Sequence, residues 1–98
     1  MEVYVKLTQR EGNVVLAICD VELLGKTLKE GRITFKIKEE FYNGGKTGID
    51  EAINMVENAT IVNLVGECCV KKAVQKGYVH PNAVLTIDGI PHAQIMKL

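Results

Sequence analysis

Six consecutive apolar residues, Val14-Val15-Leu16-Ala17-Ile18-Cys19, constrain the fold more than any other stretch of the chain. The run is bounded by the turn signal Arg10-Glu11-Gly12-Asn13 on one side and by Asp20 on the other. It is far too short to cross a bilayer, and it carries no polar alternation. It therefore reads as a strand covered on both faces. The preceding segment differs: Val3, Val5 and Leu7 alternate with Tyr4, Lys6 and Thr8, the pattern of a strand with one wet face. The turn between the two segments predicts a hairpin.

A chain of 98 residues holds one core, so a single globular domain over residues 1–98 is expected. Twelve basic residues balance twelve acidic ones, and no global field draws nucleic acid or an acidic membrane to the surface. Any RNA contact needs a local basic patch. No apolar run reaches the roughly 20 residues of a membrane span, and Met1 to Lys6 alternates like a strand rather than a leader, so the chain reads as cytoplasmic with no membrane partner. Three cysteines without Cys-x-x-Cys spacing argue against a disulfide scaffold and a structural zinc site, and no metal or cofactor is expected.

Further along, Asp20 is placed to cap a short helical turn over Val21 to Leu24, with Gly25 as its stop. Thr27 to Gly31 reads as a polar connection. Ile33, Phe35 and Ile37 alternate with Arg32, Thr34, Lys36 and Lys38, predicting a third strand with a basic outer face and Phe35 turned inward. Phe41 to Lys46 reads as a loop anchored by Phe41, its two glycines permitting hinge motion. A helix is expected over Asp50 to Asn58 and an extended link over Thr60 to Asn63. Asn63 then caps a second helix from about Leu64 to Lys76, stopped by Gly77. Cys68 and Cys69 both read as core. Val84 to Ile87, the tight turn Asp88-Gly89 and a last strand from Ala93 to Leu98 complete the chain. The expected architecture is α+β: a small, largely antiparallel sheet with two main helices packed on one side.

Chemistry concentrates in three segments: Cys19-Asp20, Asn63 to Glu67, and Gly89-Ile90-Pro91-His92-Ala93-Gln94. The last combines a donor-less proline, a histidine that titrates near neutral pH and a carboxamide. Asn63, Gly66, Glu67, Pro91, His92 and Gln94 are the candidate binding residues, and His92, Glu67, Asp20 and Cys19 the candidate catalytic ones. Glycine in the first turn of a helix lets a ligand or backbone approach, and the free N–H groups there favour an anion. The structural reading of the same residues is that Gly66 admits a close neighbour, Glu67 complements the helix dipole, Cys19 is a small buried hydrophobe and His92 is a core polar group. Separately, Lys6, Arg32, Lys36 and Lys38, with Tyr4, would form a basic sheet surface for RNA if the first and third strands are adjacent. A solvated strand face that resists edge aggregation explains those lysines equally well.

Read in order, Cys19-Asp20-Val21-Glu22-Leu23-Leu24-Gly25-Lys26, Glu30-Gly31, Phe41-Tyr42 with Gly44, Asn63-Leu64-Val65-Gly66-Glu67, Ala73 with Gly77, and Gly89 to Gln94 resemble an archaeal family known as domain-of-unknown-function family 424. The match spans nearly the whole chain, and the Cys68-Cys69 pair is particular to this sequence. The resemblance implies an archaeal, cytoplasmic, single-domain protein associated with translation-related genes. It names no catalytic residue. Two functions follow as expectations: a non-enzymatic module contacting RNA or a translation factor, and a small enzyme or ligand-binding protein with an anion site around His92, Glu67 and Gly66. A homodimer paired through Ala93 to Leu98 is a third possibility.

Overall fold

A computed structural model describes all residues, 1–98. Strands β1 (Glu2–Arg10) and β2 (Asn13–Asp20) form the expected hairpin, with Glu11 and Gly12 both at positive φ in the turn. β2 is central, and its stretch from Leu16 to Asp20 is wholly buried. Its other neighbour is β6 (Ile61–Val65), which runs parallel to it. β8 (Ile90–Met96) pairs antiparallel with β6, β7 (Leu85–Ile87) closes that side, and β5 (Lys46–Gly48) closes the other beyond β1. The order is β5-β1-β2-β6-β8-β7. The sheet is therefore mixed, which corrects the expectation of a largely antiparallel one.

The correction traces to one residue. Asn63 does not cap a helix; it sits in the middle of β6, paired with Ala17 and Gln94. The helix starts at Glu67, three residues later than an Asn63 cap would place its first residue, with Gly66 in the N-cap position, and runs as α3 (Glu67–Gln75). Gly77, at positive φ, stops it as expected. α3 and α2 (Ile49–Asn54) pack on one face of the sheet over a core that includes Leu16, Ile18, Ile53, Val62, Leu64 and Cys69. An ion pair, Lys72 Nζ to Asp50 Oδ1 at 3.0 Å, joins the two helices.

The other face carries a second, smaller core of Ala17, Cys19, Leu23, Leu28, Ile37, Tyr42 and Val65. It is covered by a separate hairpin, β3 (Thr27–Glu30) with β4 (Ile33–Lys36), and by the short helix α1 (Glu39–Tyr42). Thr27 to Glu30 is thus a strand and not a connection, because Leu28 supplies the buried position that anchors it. Ile33, expected inside, is 54% exposed at the hairpin end. Tyr42 rather than Phe41 is the buried anchor of its segment. The hairpin lies across the sheet instead of beside β1, so the expected continuous surface of Lys6, Arg32, Lys36 and Lys38 on one sheet does not form.

Asp20 ties these layers together. It does not cap the turn that follows it; its carboxylate reaches from the end of β2 to the start of α3. The amide of Cys68 donates to Oδ2 at 2.8 Å and that of Cys69 to Oδ1 at 3.0 Å. Gly66 makes room for it: a β-carbon there would run into the Asp20 Cγ and Oδ2, and the glycine φ of +119° is one that L side chains rarely adopt. Replacing Asp20 with Ala strips two charge-assisted hydrogen bonds from a buried helix start and should cost about 3 kcal/mol. Gly66→Ala should cost about as much through collision and strain. The double variant should cost less than the sum, by about 1 kcal/mol, because removing the carboxylate removes the two closest collisions and leaves only the β-carbon of residue 20, 2.7 Å from the new methyl. Urea unfolding of the four proteins checks this; strict additivity would mean that the two residues do not meet.

Candidate nucleic-acid interface

Strand register sorts the side chains of the three chemical segments. Along β6 and β8, Asn63, Val65, His92 and Gln94 point to the hairpin face, while Leu64 and Ala93 point to the helices. Asn63 is directly opposite Gln94, and Val65 opposite His92. The Gly66 amide donates to the Pro91 carbonyl at 2.9 Å, continuing the ladder. The three segments therefore meet as neighbouring strands, yet their side chains divide between two places.

The first place is a groove where the hairpin and α1 stop short of covering the sheet. It has a volume of about 370 Å³ and is lined by Phe35, Lys36, Lys38, Phe41, Tyr42, Asn63, His92 and Gln94. Phe35 meets the His92 ring edge-on, centroids 5.0 Å apart. The side chains of Asn63, Gln94, His92, Lys36 and Lys38 make no hydrogen bond or ion pair within the chain. On the far side of Phe41 a smaller depression of about 130 Å³ continues over β1 and β2, lined by Lys6, Thr8, Arg10, Val15 and Glu40 as well as Phe41. Lys6 is held there by donating to the Glu40 carbonyl at 2.6 Å. Three of the four proposed basic residues thus border one track, although not on one strand face. Arg32 lies at the hairpin turn and lines neither depression.

Sequence reasoning missed Arg10 and the place of Phe41 on the track; Phe35 turns inward as expected, packing against the smaller core while its ring borders the groove. The signal for Phe41 was its neighbour: adjacent aromatics in one helical turn cannot both enter the core, and Tyr42 does. Tyr4 is on the same face, two residues from Lys6 on β1, but it lines neither depression, and Lys46 Nζ lies 5.5 Å from its ring centroid.

The second place is the end of the strands. Glu67 lines a cleft with Asp20, Glu22, Leu23, Cys68 and Ile90. His92 is absent from that lining and Glu67 from the groove, so these two do not share a cleft. The helix N–H groups expected to attract an external anion are occupied at Cys68 and Cys69 by the chain's own Asp20. Burial, with Asp20 and Glu22 adding repulsion, pushes the Cys19 thiol up to about 12. Cys69 is raised well above the ordinary thiol range by burial and by Asp20, and its Sγ–H donates to the Val65 carbonyl oxygen at 3.2 Å. Both are protonated near neutral pH, which is the wrong state for a nucleophile. Cys68, expected in the core, is half-buried because it sits beside the apolar stripe of α3 rather than on it. No cluster of three or more His, Cys, Asp or Glu side chains is arranged to hold a metal, and no helix is long and apolar enough to cross a membrane.

Two measurements follow. A thiol reagent applied to the native protein should modify one cysteine of three, Cys68, with Cys19 and Cys69 reacting only on unfolding; rapid loss of all three would contradict the packing. Burial also holds His92 below the ordinary imidazole value of 6.5. The unfolded chain then takes up this proton first as pH falls, so His92 costs stability progressively below about pH 6.5. Comparing urea midpoints at about pH 7.5 and about pH 5.5, wild type should lose more than His92→Gln.

Comparison with known proteins adds kinship without chemistry. A family model described as "Protein of unknown function (DUF424)" matches residues 8–98. Among solved structures the chain is similar to an uncharacterized conserved protein from Methanopyrus kandleri, with a TM-score of 0.84 and 28% identity over 100% of this chain and 95% of that one. The search of curated proteins gives no match.

Proposed function

The chain belongs to the DUF424 family, and since that membership carries a fold but no activity, we propose from the surface itself that the domain is a non-enzymatic module that binds single-stranded RNA. The observation that carries this reading is a basic and aromatic track: Lys36, Lys38 and Phe35 line the groove, Lys6 and Arg10 the depression beside it, Phe41 borders both, and Glu40 is the one acidic residue in the lining. Single strands are held by such combinations, in which cations follow the phosphates and rings accept base faces. The acidic side chains Glu2, Asp20, Glu22 and Glu67 gather at the strand ends instead. A net charge of zero thus still leaves a local excess of cations along the track. The link to translation-related genes that the sequence resemblance implies makes transfer and ribosomal RNA fragments the first ligands to try.

A small-molecule enzyme is supported less well, because Glu67 and His92 line different clefts and the two buried thiols stay protonated. Fluorescence anisotropy with labelled RNA fragments tests the RNA reading. Lys36→Glu with Lys38→Glu reverses two exposed charges and should weaken binding at low salt by about tenfold or more while leaving the urea midpoint within about 0.5 kcal/mol of wild type. It should also flatten the salt dependence. Equal binding by the double variant would remove this surface from consideration, and absence of binding by wild type at low salt would turn the search to a protein partner.

A further inference from the structure

Asn63 and Gln94 have a feature that phosphate binding does not require. They are cross-strand partners, so their carboxamides stand side by side on the same face of the sheet, at the floor of the groove. Gln94 is exposed and Asn63 half-buried, and neither amide bonds to any group of the protein. A strand designed only for packing would place apolar residues there, as β2 does with Ala17 in the same row. Here the row reads Lys6, Ala17, Asn63, Gln94 from β1 to β8: a cation at one end, a small apolar centre and two amides.

Resting on the RNA-binding reading above, we infer that this amide pair reads the hydrogen-bonding edge of one unpaired base, with adenine preferred. A carboxamide offers a donor and an acceptor at the spacing of the adenine amino group and its neighbouring ring nitrogen, the pairing by which Asn and Gln recognise adenine elsewhere. The walls suit the rest of the nucleotide. Phe35 and Phe41 border the groove with apolar ring surface for a base face, and Lys36 and Lys38 flank it where a phosphate would lie. The volume of about 370 Å³ leaves room for a purine and its ribose. A base locked in a duplex cannot present its face to a ring and its edge to the floor together, so the site selects single strands.

The test separates this inference from the reading beneath it. Labelled 12-mers of A, U and C and a 12-base-pair RNA duplex are titrated into wild type, Asn63→Ala with Gln94→Ala, and Gln94→Glu alone. Gln94→Glu alters only an exposed side chain and guards against a folding defect in the double variant. Wild type should bind the A strand at least about fivefold tighter than the U and C strands, and the duplex more weakly. Both variants should retain salt-dependent binding to all strands, with the A preference gone. Binding without preference in wild type, a preference for another base, or an A preference that survives in both variants overturns base reading while leaving the RNA-binding surface standing. No binding of any strand at low salt overturns both.

Discussion

The carboxylate of Asp20 is the interaction on which the rest of the structure depends. Two amides at the start of α3 converge on it from behind Gly66, and this joins the end of the central strand to the helix that covers it. A helix start leaves N–H groups without intrahelical partners, and a buried one must find acceptors. Asp20 supplies them from a strand distant in sequence, so the cap is a tertiary bond that fixes how β2, β6 and α3 stack. The Gly66 amide, donating to Pro91, then sets β8 against β6. Through that register Asn63 meets Gln94 and Val65 meets His92. The placement of the polar groove residues is thus a consequence of a bond on the acidic end of the molecule, and not of contacts within the groove.

This arrangement gives the two faces of the sheet different work. The helix face holds the larger core and is covered except toward its edge, where Leu7 is exposed. The hairpin face is only partly covered: four-residue strands and a four-residue helix are too small to roof six strands. What they leave open is where uncommitted lysines, amides and half-exposed aromatics collect. Buried polar groups in this protein are satisfied throughout. Asn63, the half-buried carboxamide of the groove floor, is left without a partner in the chain, which is the arrangement expected when a ligand rather than the fold completes its bonding.

Legibility in the sequence followed locality. The hairpin of β1 and β2, the doubly covered β2, the helix near Asp50 and the stops at Gly77 and Asp88-Gly89 rest on periodicity and turn chemistry, and each stands in the structure. The errors lie where a tertiary contact replaced a local signal. Asn63 has the chemistry of a helix cap, but Asp20 takes that task from another strand, freeing Asn63 to stay in β6 and making the sheet mixed. Leu28 is one buried residue in a polar stretch, too weak a pattern to announce a strand until the sheet beneath it is known. The segments Asn63 to Glu67 and Gly89 to Gln94 were legible as concentrations of chemistry. Their division between a groove and a strand end was not, since alternation assigns sides only once strand and register are fixed.

The central claim is that the open half of the hairpin face is the binding surface. Chemical-shift mapping of isotope-labelled protein with a single-stranded RNA at low salt tests it most directly. The account predicts shifts at the Asn63 and Gln94 side-chain amides, the His92 ring and the backbone of Lys36, Lys38 and Phe41, fading together as salt rises. Shifts centred instead on Glu22, Glu67 and Cys68 at the strand ends, with the groove silent, would contradict it.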